Sequence, residues 1–146
     1  MRMACMLPGL LGAAPALAAD EAPTGTLGVT FENLRSAKGM IRACLTREPK
    51  LFLHCDRDPA AFKASVAAGP AARMEFAKVP PGDYVLAIVH DENGNSKVDT
   101  FVGIPREGVG FSRNPGMSFG PPKYEAAKFH VGVGAGAMVV KLKYFL

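Results

Sequence analysis

The stretch Val79-Pro80-Pro81-Gly82-Asp83-Tyr84-Val85-Leu86-Ala87-Ile88-Val89 decides how this chain folds. Two prolines preset φ and the glycine permits φ > 0, so the stretch begins as a tight turn. Tyr84 to Val89 then runs apolar on both faces, which marks a strand central in a sheet or sandwiched between layers. Upstream, Leu27, Val29 and Phe31 alternate with Gly28, Thr30 and Glu32, the period of two of a half-buried strand. Met40 to Thr46 repeats the pattern, with Ile41, Ala43 and Leu45 on one face and Arg42, Cys44 and Thr46 on the other. Arg47 to Ala60 is broken by Pro49 and Pro59. Phe62 to Val66 reads as a short strand or a helical turn, and Ala72 to Ala77 as a strand. Ala126 to Val131 and Ala137 to Phe145, around a Gly132-x-Gly134-x-Gly136 turn, close the chain as two more strands. Short strands, Pro/Gly turns and no amphipathic helix predict an all-β fold. The expected form is a Greek-key β-sandwich of about seven strands, transthyretin-like or immunoglobulin-like, with one long irregular loop. A closed barrel is the alternative.

The first residues stand apart from this pattern. Arg2 precedes an Ala/Leu-rich segment, and Ala16-Leu17-Ala18 has the small-x-small form read by signal peptidase. Residues 1–19 are therefore expected to be a signal peptide, and 20–146 a single β-sandwich domain, periplasmic or secreted. A membrane anchor would need about 20 apolar residues, and Pro8, Gly9, Gly12 and Pro15 interrupt this one. No transmembrane segment is expected after cleavage. Export would place Cys44 and Cys55 in an oxidising compartment, where two nearby thiols pair as a disulfide. The competing reading joins them with His54 in a metal or thiol site. The chain carries 17 Lys+Arg against 13 Asp+Glu, lacks Trp and is 8% aromatic. Its densest basic cluster is Arg42 to Lys50, so neither a nucleic-acid footprint nor a stacking platform is expected.

After the central strand comes His90-Asp91-Glu92-Asn93-Gly94-Asn95-Ser96-Lys97-Val98-Asp99. Asp91, Asn93, Asn95 and Asp99 supply side-chain oxygens at alternate positions, and Lys97 fills the gap with a backbone carbonyl. Such a loop suits Ca²⁺, which takes six to eight oxygens at roughly 2.3–2.6 Å. It departs from the helix-flanked calcium loop in two places: Ser96 stands where a glycine is usual, and Val102 where a bidentate glutamate is usual. With Asp91 and Asp99 as its formal charges and Glu92 facing out, such a site would bind weakly, at roughly 10⁻⁴–10⁻³ M. Glu107 would be available to complete the shell. The other reading is an Asx-turn network, in which Asp and Asn cap their own backbone without metal. Both stay open at the level of sequence.

His90 beside Asp91 also permits a metal-dependent hydrolase with a His-Asp site at the strand end. The plainer reading is a strand-end histidine with one satisfied ring nitrogen. No serine lies in a nucleophile-elbow pattern, and no catalytic set is assigned. From Asp91 to Pro122 the chain reads as one long loop, a length that usually carries function. Phe101, Phe111 and Phe119 with Arg106 and Arg113 suit a surface for an envelope protein or small ligand. The alternative is that these phenylalanines fold back and plug the open end of the sandwich.

Five motifs resemble one family. They are Asn33-Leu34-Arg35-Ser36-x-Lys38-Gly39, Pro81-Gly82-x-Tyr84, His90-Asp91-Glu92-Asn93-Gly94-Asn95, Gly103-Ile104-Pro105-x-Glu107-Gly108-x-Gly110-Phe111-Ser112 and Phe119-Gly120-Pro121-Pro122. Together they are similar to the uncharacterised secreted bacterial family called domain of unknown function 2141. The resemblance implies an exported protein of Gram-negative-type bacteria with no established activity. This chain has Ser96 where the family motif usually has its second glycine. The Pro-Pro-Gly-x-Tyr turn also looks like that of transthyretin-like and carboxypeptidase-regulatory modules, mostly structural or binding domains, a likeness of fold alone.

Overall fold

The computed structural model describes residues 9–17, 20–98, 100–101, 104–118 and 120–146, with the side chains of 100–101 left outside. Two sheets face each other across an apolar core. The smaller has strand order β10-β1-β4, with β1 Gly25–Glu32, β4 Arg73–Val79 and β10 Gly134–Lys141. The larger has the order β3-β2-β5-β8, with β2 Met40–Thr46, β3 Phe62–Ala67, β5 Gly82–Asp91 and β8 Gly108–Phe111. A short strand β9, Phe129–Val131, pairs with the start of β5. β6 (Thr100–Phe101) and β7 (Ile104–Pro105) form a small separate hairpin. The fold is thus an all-β sandwich, and β5 lies between β2 and β8 as its apolar run predicts.

Alternation sorts the side chains. Leu27 and Val29 of β1 meet Ile41, Ala43 and Leu45 of β2 and Tyr84, Leu86 and Ile88 of β5 in the core, all buried. The opposite face of the larger sheet carries a second, smaller cluster, where Val85 packs under Phe52, Phe111 and Ala127. Phe52 belongs to a 3-10 turn, Phe52–Arg57, inside the segment the prolines break. A Cys44–Cys55 disulfide, Cα–Cα 6.0 Å, fastens that turn to the outer face of β2.

Three expectations need correction. The segment after Asp91 is not wholly irregular, because β8 lies within it. Ala126 and Ala127 belong to a single helical turn, Tyr124–Ala127 (α1), and only Phe129–Val131 pairs as strand. The glycines at 134 and 136 are in strand, and β10 ends at Lys141. The chain beyond it crosses to the other sheet, where Lys143 bridges Val109 with bonds of 2.9 and 2.8 Å. One edge of the sandwich is therefore laced, although two sheets remain.

Candidate functional site

The end of β5 is where the residues singled out by sequence converge. Alternation turns His90 into the core and Asp91 to the outer face, so the two do not form a dyad. His90 is fully buried. Its Nε2 donates to the Lys38 carbonyl at 2.8 Å, which leaves Nδ1 to accept from the Tyr144 hydroxyl at 2.8 Å. Both ring nitrogens are thus engaged by protein groups, one more than the plain reading assigned.

Asp91 is buried as well and is paired with Arg42, Nε to Oδ2 2.7 Å. Arg42 lies on the outward face of β2, diagonal to Asp91 in the register. The same carboxylate accepts the Asn95 N–H at 3.2 Å and the Ser96 N–H at 2.8 Å. The Asn93 side-chain oxygen accepts the Asn95 N–H at 3.1 Å, and that of Asn95 accepts the Lys97 N–H at 2.9 Å. The Asx-turn network, one of the two readings left open by the sequence, is therefore present, anchored by an arginine from the neighbouring strand. Burial pushes the Asp91 carboxyl up, but the Arg42 hydrogen bond, the Ser96 amide, the guanidinium charge and the Asn95 amide together hold it below the ordinary range. Lys97 is exposed, Glu107 is buried at the start of β8, and Asp99 lies outside the described residues. Among the described residues no group of three or more His, Cys, Asp or Glu is placed to hold a metal.

Glu92 does not face out. Its carboxylate accepts from Arg35 Nε and from the Ser36 hydroxyl, each at 2.8 Å. Burial raises its pKa, but these two bonds and the charge of Arg35 outweigh it and the net shift is downward. Arg35 is the hub of this end of the molecule. It donates to the Leu146 carbonyl at 2.6 Å and to the Arg106 carbonyl at 3.0 Å, and lies 4.5 Å over the Tyr144 ring. Two glycines make the close approach possible. Gly39, at φ +69°, sits against the Asp91 carbonyl, where a Cβ would come within 2.0 Å. Gly108 lies flat under the Tyr144 ring, where a Cβ would fall 2.4 Å from a ring carbon. The Asn33–Gly39, His90–Asn95 and Gly108–Ser112 motifs are thus distant in sequence and meet in space.

Beside this polar hub, on the outer face of the larger sheet, lies an apolar cleft of about 720 Å³. Its floor is Ala87, Val89, Val109 and Phe111; its walls are Phe52 to His54, Val98, Ile104 and Pro105, Met117, Ser118, Gly120 and Pro121, and Phe145. His54 and Ser118 are the polar side chains among the described lining. Leu53, Val98, Ile104 and Phe145 remain 45%, 49%, 42% and 39% exposed. Volume and lining fall in the range of small-molecule sites. Phe111 is buried, its ring 6.2 Å from that of Phe52, so it folds back, but onto the outer face of the larger sheet and not into the open end of the sandwich. Arg106 and Arg113 are exposed, and Arg113 donates to the Lys128 carbonyl at 3.3 Å. The Phe101 side chain and Phe119 lie outside the described residues. The sequence reading missed the cleft, because its lining comes from segments scattered between Phe52 and Phe145.

An all-β sandwich by itself names no function. The chain belongs to the family described as uncharacterized protein conserved in bacteria (DUF2141), whose model matches residues 29–138. No curated protein and no solved structure matches it. Among the described residues no helix is long and apolar enough to cross a membrane.

Proposed function

We propose that this is an exported, non-enzymatic β-sandwich that binds an apolar small molecule in the cleft on its larger sheet, in the periplasm or outside the cell. The observation that carries the reading is the cleft itself, four of whose wall side chains keep large apolar surfaces in water. Export is supported by the leader pattern and by Leu10, Leu11 and Leu17, which are 97–99% exposed and pack on nothing described. The test is titration with an environment-sensitive naphthylamine dye, followed by displacement with alkyl-chain compounds. Saturable binding is expected, weakened at least tenfold (~1.4 kcal/mol) by Ile104→Asp. Absence of saturable binding, or equal affinity in the variant, overturns it.

The calcium part of the reading attaches to the same cleft. The Asp91–Lys97 loop runs directly into Val98 of the cleft wall. Its Asp and Asn oxygens accept amide N–H groups, yet a carboxylate or amide oxygen has more than one lone pair, so turn and cation are compatible. Arg42 already offsets one charge, which keeps the expected affinity near the millimolar range. In chelator-stripped protein, 5 mM Ca²⁺ should add about 1 kcal/mol of stability for a Kd of about 1 mM. An unchanged melting temperature removes the metal and leaves the cleft reading intact.

A further inference from the structure

The smaller sheet ends on β10, and the free side of β10 is unusually open. Among the described residues β10 pairs with β1 alone, in parallel. The direction of its backbone groups follows from the bonds at its two ends. Gly134 N–H reaches Thr24, and Leu142 N–H beyond the strand reaches Glu32, so even-numbered positions face the β1 side. Asn114 instead caps the free side. Its side chain donates to the Val139 carbonyl at 3.1 Å and accepts the Lys141 N–H at 2.8 Å. Odd positions therefore face outward, and Ala135 and Ala137 present their N–H and C=O groups to solvent with no side chain long enough to cover them.

Proteins usually blunt such an edge with charge, proline or a bulge. Of the other outer strands, β3 carries Lys63, β4 carries Arg73, Glu75 and Lys78, and the uncharged β8 is covered at Val109 by the Lys143 backbone. Gly134 to Val140 has no charged residue and no proline.

We propose that this edge pairs with the same edge of a second copy of the chain, antiparallel, about a two-fold axis through Gly136. In that register Ala135 of one copy faces Ala137 of the other, and each such pair exchanges two N–H···O bonds. Val133, 65% exposed, comes beside Val139 of the second copy, 47% exposed, so two apolar side chains left in water become neighbours, and the ladder ends there because Asn114 holds the Val139 carbonyl. The contact is isologous, as a closed dimer requires. No like charges oppose each other along it, which matters for a chain of net charge +4. The result is one continuous sheet running through both copies.

Sedimentation velocity on the oxidised protein tests this. The mass should rise from monomer to dimer over a hundredfold increase in concentration. Ala137→Pro should abolish the rise without lowering the melting temperature, because the amide it removes points away from β1. A monomer at every concentration overturns the proposal, and so does a proline variant that still dimerises. Cross-linking fixes the register independently of how that variant folds. In a Cys5→Ser background, Gly136→Cys places two thiols across the axis, at a Cα separation of about 4.5 Å. A Cβ at Gly136 meets only the Thr26 carbonyl, at 3.8 Å, and Gly132 has nothing within 4 Å, so both positions accept cysteine. Gly136→Cys should form a covalent dimer on mild oxidation, and Gly132→Cys, well off the axis, should not. Equal cross-linking of the two, or none at Gly136→Cys, overturns it.

Discussion

Asp91→Ala tests whether the loop beside the cleft is built by a buried ion pair. The substitution removes the acceptor of Arg42 Nε at 2.7 Å and of the Ser96 and Asn95 amides at 2.8 and 3.2 Å. Deleting one partner of a fully buried pair costs about 3–5 kcal/mol. Here Arg42 keeps a third of its side chain in water (33%), and the freed loop amides are near the surface, so solvent recovers part of that loss. About 2–3 kcal/mol remains, the scale of hydrogen bonds to a charged group. For a domain of this size that lowers the melting temperature by about 6–12 °C. The pH dependence has a definite sign. The folded pKa of Asp91 lies below its ordinary value, so its stabilisation is fully present above the ordinary carboxylate range. It is lost as pH falls through the folded value. Thermal unfolding by circular dichroism, with wild type and variant compared from pH 7 to pH 3, should show a gap that closes on acidification. A double-mutant cycle with Arg42→Ala should give a coupling of at least about 0.5 kcal/mol. A variant within about 0.5 kcal/mol of wild type at pH 7, or a gap that widens in acid, refutes the reasoning.

Other substitutions probe the neighbouring contacts. Gly108→Ala drives a methyl into the Tyr144 ring and should cost about 1–3 kcal/mol by overpacking; a neutral result in chemical denaturation would mean the ring is not held there. Tyr144→Phe removes the hydroxyl that serves His90 and accepts the Arg35 N–H, an expected loss of about 1–2 kcal/mol in urea unfolding. Reducing Cys44–Cys55, or replacing both by Ser, should cost about 2–3 kcal/mol. It should also weaken dye binding, because the bridge fastens the turn that carries Phe52, Leu53 and His54; retained affinity would separate the turn from the cleft.

The strands that deliver these contacts were legible to very different degrees. β2 runs from Met40 to Thr46 as its alternation dictates, and β5 is central because both of its faces are apolar. β8 was hidden because Gly108 and Gly110 look like loop glycines. They are glycine because Tyr144, Val140 and Leu142 cross directly over them. The glycines of β10 misled in the same way, since a bare edge tolerates small residues that usually mark a turn. Ala126 and Ala127 read as strand; alanine suits a helical turn as well, and that turn packs Ala127 under Phe52 and Phe111. At the site, the Asx turns could be read from Asp91, Asn93 and Asn95. The Arg42 partner could not be read from the loop alone, although alternation in β2 and β5 does place Arg42 and Asp91 on one face. The cleft was invisible to any local pattern, because its residues share a location and no sequence period.

Where an apolar molecule binds is the most direct measure of the account. Photolabelling the oxidised protein with a small apolar diazirine, followed by peptide mass spectrometry, gives that location. Labels should concentrate on the peptides holding Leu53, Val98, Ile104, Met117 and Phe145, and should be suppressed by excess alkyl-chain competitor. Labels spread over the surface, or gathered on the outer face of the smaller sheet around Thr30 and Val139, would contradict it.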